Sequence, residues 1–112
     1  MCKDFSQIDL DNVQSTFQSN ILQMFAITKF ALPHMKKGGS YVLIPCQQYT
    51  FISLRYWCAE QPDSIINTTS VVAFRGAASM VDYASTKGAI VGFTRALSKN
   101  LTPKGIRVNA VA

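Results

Sequence analysis

Residues 65–112 read IINTTSVVAFRGAASMVDYASTKGAIVGFTRALSKNLTPKGIRVNAVA, and this stretch decides the fold. Residues 65–70 form a short apolar, β-branched run that ends in small polar residues, which is typical of a buried strand. A helical pattern follows, and residues 107–112 close the stretch as a second predicted strand. A strand, a helix and a strand in so short a stretch form a βαβ unit, whose two strands are parallel. The sequence therefore predicts an α/β fold built on a parallel sheet, with about two strands.

The helix of this unit is predicted from apolar residues that recur every three to four positions between residues 84 and 101. Ser79 and Asp82 have the spacing of a capping box, in which two side chains bond free N–H groups of the first turn. Pro103 and Gly105 then stop the pattern. We expect a helix that begins after Ser79 and runs to about Asn100.

A second amphipathic helix is predicted before this unit. Its apolar residues recur every three to four positions from Leu10 to about Met35, which places them on one face. Asp9 is a suitable N-cap, and residues 36–39 supply a cationic last turn followed by glycine. Pro33 is expected to kink the last turn or to end the helix early.

Residues 41–64 differ in composition from the rest of the chain. They hold the only Trp, the only Glu and two of the three Cys, and they contain no Lys. Neither helical nor alternating periodicity is sustained across them. Their aromatic side chains form either an apolar binding patch or part of an unrelated inserted segment, and the abrupt change in composition favours the insertion.

Composition argues against several classes of function. The net charge is +5, but the basic residues are scattered, so no nucleic-acid partner is predicted. The three Cys lack a C-x-x-C spacing and His34 is the only histidine, so no metal site is predicted. The first residues lack an apolar signal region and residues 21–32 are interrupted by polar side chains, so neither secretion nor a membrane span is expected. Reduced thiols fit a cytoplasmic location.

Tyr83 and Lys87 are the first candidates for chemistry. They are four residues apart on a predicted helix, which places both side chains on one face. A tyrosine with a pKa of about 10 is a poor proton-transfer catalyst at neutral pH, and a nearby ammonium favours the phenolate and lowers that pKa. Tyr83 can then exchange a proton with a hydroxyl or carbonyl group. Taken alone, a tyrosine and a lysine at this spacing are also what an ordinary solvent-exposed helix surface would contain.

Ser70 strengthens the chemical interpretation of this pair. It lies thirteen residues before Tyr83, at the carboxyl end of the predicted strand. Open α/β sheets bind their ligands at the carboxyl ends of their strands. The Ser70 hydroxyl is therefore placed to hydrogen-bond the same substrate oxygen, whereas without the pair a turn or capping role would be expected.

These segments together resemble the central part of a short-chain dehydrogenase/reductase. The likeness is carried by residues 65–70, 82–90, 93–97 and 104–112, and residues 3–39 resemble the family's fourth helix with the loop before it. Within the family, the likeness is to NADP-preferring members related to glucose dehydrogenase and bacterial general-stress oxidoreductases. The resemblance implies that residues 1–112 are a fragment of one Rossmann-like, doubly wound domain: the fourth helix and one βαβ unit, incomplete at both ends.

The resemblance also implies roles for individual residues. Tyr83 would be the acid–base catalyst, and Lys87 would lower its pKa and hold the ribose of NADP or NAD. Ser70 would orient the substrate carbonyl, and Asn20 would hold a water that links Lys87 to solvent. The implied reaction is reversible hydride transfer between the nicotinamide ring and a small alcohol or carbonyl compound, in a homo-oligomeric parent enzyme.

Three features depart from the family's pattern. The glycine-rich turn that cradles the cofactor's pyrophosphate is absent from the chain, and the chain ends where the family continues towards its substrate-enclosing segment. Residues 41–64 have no counterpart. They are compatible with a translated intron, because codons for residues 40–42 can contain a splice-donor sequence and the codon for Gln61 can contain an acceptor sequence. They are also compatible with a genuine inserted loop.

We therefore expect the 112-residue chain to be inactive by itself, although its family is one of oxidoreductases. A different class of function remains as the alternative. In this family the fourth and fifth helices form the main subunit interface, so the chain is alternatively a non-enzymatic fragment that pairs with a full-length relative through its two long helices.

Overall fold

Four strands form one sheet in the computed structural model. The structure describes residues 5–35, 39–43, 54–57 and 63–112. In chain order the strands are β1 (Gly39–Leu43), β2 (Leu54–Trp57), β3 (Ser64–Thr68) and β4 (Arg107–Val111). Their spatial order is β2-β1-β3-β4, with β3 parallel to both β1 and β4 and with β2 antiparallel to β1. The predicted α/β class with a parallel sheet is confirmed.

The prediction of about two strands is wrong. Strands β3 and β4 are the two that the sequence pattern indicates, and their register pairs Ile65 with Val108. No regular element was predicted for residues 41–64. Strand β1 begins two residues before this segment and continues into it, and β2 lies entirely within it. Both are defined by pairing across the sheet, β2 with β1 and β1 with β3, and a local sequence pattern does not show such pairing. Residues 44–53 and 58–62 of this segment lie outside the described part of the chain.

The N-terminal helix is built from three consecutive pieces. Helix α1 (Leu10–Phe17) continues through a π-helical turn (Gln18–Leu22) into α2 (Gln23–Ala31). The predicted N-cap is confirmed, because the Asp9 carboxylate accepts a hydrogen bond from the N–H of Asp11 at 3.0 Å. The predicted early end at Pro33 is also confirmed, since a 3-10 turn at Leu32–His34 replaces the α-helix there.

The second long helix is α4 (Val81–Leu101), and a short helix, α3 (Val72–Arg75), precedes it. The predicted capping box is wrong, because Met80 occupies the N-cap position and makes no side-chain cap bond. The end of the helix is as predicted: a 3-10 turn at Thr102–Lys104 leads to Gly105, whose φ of 74° lies in the left-handed region.

Asp82 bonds to the other helix. Its Oδ2 accepts hydrogen bonds from Asn12 Nδ2 at 3.4 Å and from the Thr16 hydroxyl at 3.3 Å, both on α1. The carboxylate that sequence spacing assigned to a local cap therefore joins the first turn of α4 to α1.

The helices meet the sheet at one apolar cluster. Its buried members are Ile65 on β3, Val108 on β4 and Leu101 at the end of α4. Partly buried side chains from α2, α4 and the flanking turns pack against it: Ile27, Leu32, Met35, Leu97 and Ile106. One cluster thus fixes both long helical segments against the parallel pair β3–β4, and it determines where the first turns of α4 lie.

Replacement of Leu101 tests this cluster. Leu101→Ala is expected to lower the free energy of unfolding by about 2–5 kcal/mol, because Leu101 is fully buried and its truncation leaves a cavity in the apolar cluster. The matched control is Leu10→Ala, at a leucine that is 73% exposed, where the expected change is within about 0.5 kcal/mol. Urea denaturation followed by circular dichroism measures both, and equal losses would contradict the assignment of the core.

Candidate active site

The candidate site lies at the carboxyl end of β3. Because β3 and β4 are parallel, the chain crosses back between them through α4, whose first turns therefore start near this end of the strand. Ser70 follows β3 by two residues and is half-buried. Its Oγ accepts a hydrogen bond from the N–H of Val72 at 3.4 Å, at the start of α3. The predicted position of Ser70 beyond the end of a buried strand is confirmed.

Tyr83 and Lys87 lie on successive turns of α4. The Nζ of Lys87 is 5.4 Å from the centroid of the Tyr83 ring, within the range of a cation–π interaction. Tyr83 is half-buried, whereas Lys87 is only 3% exposed. A buried ammonium beside a partly accessible phenol differs from a pair of solvated surface side chains. The Lys87 side chain therefore belongs to the protein interior rather than to an ordinary helix surface.

The Lys87 ammonium is held by the end of the strand. Its Nζ donates a hydrogen bond to the backbone carbonyl of Thr68 at 3.3 Å. The hydroxyl of the next residue, Thr69, donates to the backbone carbonyl of Lys87 at 2.8 Å. These two bonds join the carboxyl end of β3 to the second turn of α4, and sequence spacing alone did not reveal Thr69.

Asn20 lies in the π-helical turn, where the N–H of Gln23 bonds to the carbonyl of Gln18, five residues earlier. The buried polar and apolar side chains of this helical segment recur every four residues: Thr16, Asn20, Met24 and Thr28. In a regular α-helix of 3.6 residues per turn, a four-residue repeat drifts around the axis. A wider turn reduces that drift, so it helps keep Asn20 facing α4.

Asn20 reaches Tyr83 through one intermediate residue. Its Nδ2 donates to the hydroxyl of Thr86 at 3.0 Å, and that hydroxyl donates to the backbone carbonyl of Tyr83 at 2.8 Å. Asn20 and Thr86 are both buried. The Oδ1 of Asn20 is also buried and has no hydrogen-bond partner in the structure. Asn20 is therefore linked to the backbone of Tyr83 by a chain of two hydrogen bonds.

A second buried polar link ties β3 to α4 further from the site. Asn67 Nδ2 donates to the hydroxyl of Thr94 at 2.8 Å, and this hydroxyl donates to the carbonyl of Ile90, also at 2.8 Å. Asn67 is fully buried. Sequence analysis missed both Asn67 and Thr94, because their partners lie 27 residues apart along the chain.

An open groove of about 660 Å³ lies between α3 and α4, lined by residues that include Val72, Gly76 and Ser85. None of the four predicted site residues lines it, so the groove alone does not define the site. Within the described residues, no three His, Cys, Asp or Glu side chains cluster as metal ligands do. No helix in that part of the chain has the length and apolar character required to cross a membrane.

The site therefore combines a partly accessible phenol, a buried ammonium and a serine hydroxyl near one end of a parallel strand. Such groups can transfer a proton to or from a hydroxyl or carbonyl oxygen and stabilise the charge that forms there. Comparison with known proteins identifies the family. Its model, described as short chain dehydrogenase, matches residues 46–112, which is more than half of the chain. The chain belongs to the short-chain dehydrogenase family.

Individual relatives agree with this assignment. An oxidoreductase of Bacillus subtilis is 45% identical over 105 residues, which cover 94% of this chain and 28% of the relative. The NADPH-dependent aldehyde reductase 1 of Arabidopsis thaliana is 43% identical over 106 residues, with 95% and 28% covered. The chain thus spans somewhat more than a quarter of the length of these curated relatives.

Solved structures show the same fold. A short-chain dehydrogenase of the glucose/ribitol type from Brucella melitensis has a TM-score of 0.69 at 31% identity, with 98% of this chain and 36% of that chain covered. A short-chain dehydrogenase from Burkholderia cenocepacia, in complex with NADP, has a TM-score of 0.70 at 25% identity and the same coverage. The partial Rossmann-like architecture expected from the sequence is confirmed.

A double-mutant cycle tests the link between Asn20 and α4. Asn20→Ala and Thr86→Val are expected to show a coupling energy of about 1 kcal/mol in urea denaturation, because their hydrogen bond is buried. The control cycle pairs Asn12→Ala with Asp82→Ala, whose 3.4 Å bond is exposed, and its coupling is expected to be below about 0.5 kcal/mol. Additive effects of the buried pair would show that the two side chains do not interact.

Proposed function

We propose that this chain carries the proton-transfer residues of an NAD(P)-dependent oxidoreductase that acts on a small alcohol or carbonyl compound. The observation that supports this most directly is the buried ammonium of Lys87, which lies beside Tyr83 and is held at the carboxyl end of β3. A buried charge is costly unless it is paired or hydrogen-bonded. Its retention beside a phenol is typical of a site in which the charge has a chemical use.

The proposed roles are those that the family resemblance implies for these residues, and their positions near the carboxyl end of β3 support them. Tyr83 gives its phenolic proton to the carbonyl oxygen during reduction and takes it back during oxidation. Lys87 stabilises the negative charge that forms on the phenol oxygen. Ser70 donates a hydrogen bond to the same substrate oxygen. Asn20 supports the first turn of α4 through Thr86, and it holds a water that returns protons to Lys87.

The proposed cofactor is NADP or NAD. The buried ammonium of Lys87 and the hydroxyl of the half-buried Tyr83 fit the ribose end of such a molecule, which needs hydrogen-bond donors and acceptors. When bound, the nicotinamide ring supplies or accepts the hydride. NADP is favoured, because one relative is named an NADPH-dependent aldehyde reductase and one similar structure contains NADP.

A cytoplasmic location is proposed for the protein.

The 112-residue chain is proposed to have no turnover alone. Its sequence holds no glycine-rich turn of the kind that binds a pyrophosphate at a helix N-terminus. The proposed site residues contact only the ribose and the reacting atoms. Chemistry at Tyr83 therefore needs cofactor contacts that the family's other segments provide.

A graft tests this function. Residues 64–112 replace the corresponding segment of the Arabidopsis NADPH-dependent aldehyde reductase 1, and NADPH oxidation with a simple aldehyde is followed by absorbance. We expect the graft to turn over the aldehyde. Its Tyr83→Phe variant is expected to have a kcat about 10²–10⁴-fold lower, because the proton donor is lost. The 112-residue chain alone is expected to show no turnover.

Thr102→Val, at the residue that caps the end of α4, is the matched control for loss of a hydroxyl. Its hydroxyl bonds the carbonyl of Ser98 at the far end of α4, so kcat is expected to stay within about twofold. A Tyr83→Phe graft that reduces the aldehyde as fast as its parent would contradict the role of Tyr83. Turnover by the chain alone that is lost in Tyr83→Phe would contradict the proposed inactivity.

The second candidate function is subunit pairing, and an exposed apolar surface supports it. Leu22, at the end of the π-helical turn, and Phe25 on α2 are more than half exposed. The Phe25 ring lies 4.5 Å from that of Phe93 on α4, measured between centroids. Aromatic side chains that span two helices are typical of helix-to-helix contact surfaces. The proposed partner is a full-length relative, with the parent enzyme a homo-oligomer.

Co-purification tests the pairing. A tagged 112-residue chain is co-expressed with the Arabidopsis reductase, and Phe25→Ser is expected to reduce recovery of the reductase at least about tenfold, as for a central aromatic contact. The control is Phe74→Ser, at a phenylalanine that is 66% exposed on α3. Equal recovery with both variants would exclude pairing through this surface.

A further inference from the structure

Thr69 occupies the junction between β3, β4 and α4. Its backbone N–H donates to the carbonyl of Val111 at the end of β4, at 2.8 Å. Its hydroxyl donates to the carbonyl of Lys87, also at 2.8 Å, and the residue is only 6% exposed. One buried residue therefore joins the ends of two parallel strands to the helical turn that carries Lys87.

The hydroxyl bond complements the one made by the lysine itself. The Lys87 ammonium bonds the carbonyl of Thr68, one residue before Thr69. If the second turn of α4 moved away from the strand, both bonds would break together. The Thr69 hydroxyl therefore fixes the distance between the second turn of α4 and the end of β3, which the Lys87 side chain must span to reach the Thr68 carbonyl. The hydroxyl itself bonds the Lys87 backbone and not the ammonium.

Neighbouring threonines do not supply this contact. The Thr86 hydroxyl bonds the carbonyl of Tyr83, on the helix that carries it. The Thr94 hydroxyl bonds the carbonyl of Ile90, almost two turns beyond Lys87. The Thr69 hydroxyl, in contrast, joins the end of β3 to the backbone of Lys87.

We propose that Thr69 is a positioning residue, which holds the Lys87 turn of α4 against the end of β3 and so keeps the ammonium buried beside Tyr83. Its importance for catalysis rests on the function proposed above. Its effect on the burial of Lys87 is a property of the folded chain and can be measured without turnover.

The first experiment measures how fast Lys87 is modified in the full 112-residue chain. The folded chain is treated with a trace of acetic anhydride, and mass spectrometry compares acetylation of Lys87 with that of the exposed Lys99. Thr69→Val keeps the branched shape and removes the hydroxyl. It is expected to raise the Lys87/Lys99 ratio about fivefold, the factor for one hydrogen bond of ordinary net strength, and Thr69→Ser is expected to restore the parent ratio.

Thr94→Val is the matched control. It also removes a buried threonine hydroxyl from a helix carbonyl, and it leaves Asn67 Nδ2 without its acceptor, so it destabilises the fold without touching the Lys87 turn. Its Lys87/Lys99 ratio is expected to stay at the parent value. Three outcomes would overturn the proposal. The Lys87/Lys99 ratio could stay unchanged in Thr69→Val, or it could rise equally in Thr69→Val and Thr69→Ser. It could also rise as much in Thr94→Val as in Thr69→Val.

The graft supplies the second measurement and remains decisive if Thr69→Val unfolds the short chain. There, Thr69→Val is expected to lower kcat about fivefold with little change in KM for the aldehyde, and Thr69→Ser to recover it. Equal kcat in all three grafts would overturn the role of Thr69. If acetylation of Lys87 depends on the hydroxyl but Tyr83→Phe leaves the graft active, the proposed function fails and the positioning role stands.

Discussion

The parallel pairing of β3 with β4 is the constraint on which the rest of the structure depends. Two parallel neighbours cannot be joined by a tight turn, so the chain must return along the sheet, and α4 makes that return. The cluster of Ile65, Val108 and Leu101 holds the far end of α4 against the sheet. The near end, with Tyr83 and Lys87, is then placed beside the end of β3, where the serine also lies.

The π-helical turn makes a second, separate contribution. It lies between α1 and α2, and it helps keep the buried stripe of that helical segment facing α4. Asn20 uses this geometry to support the first turn of α4 through Thr86. The candidate site is therefore supported by the strand on one side and by a locally widened helix on the other, with buried hydrogen bonds on both.

Apart from the parallel pair β3–β4, which the strand–helix–strand order indicates, the features that sequence patterns predicted correctly depend on near neighbours along the chain. The cap at Asp9, the end of the helix at Pro33 and the shared face of Tyr83 and Lys87 are all set within four residues. The errors arise from distant partners. Asp82 bonds α1 rather than its own helix, and β1 is defined by pairing with β3. Asn20 was identified through family resemblance alone, and Thr69 was missed because its partner is 18 residues away.

The position of β4 has a consequence for the order in which the molecule opens. Among the described strands, β3 is paired on both sides, whereas β4 is an edge strand with one neighbour. Local fluctuations start where fewest backbone hydrogen bonds must break, so β4 should exchange its amide protons before β3 does. Because Thr69 bonds Val111, fraying of β4 releases one tie at the end of β3. The rigidity of the candidate site is thus limited by β4, the edge strand, and any element that covered that edge would stiffen the site from a distance.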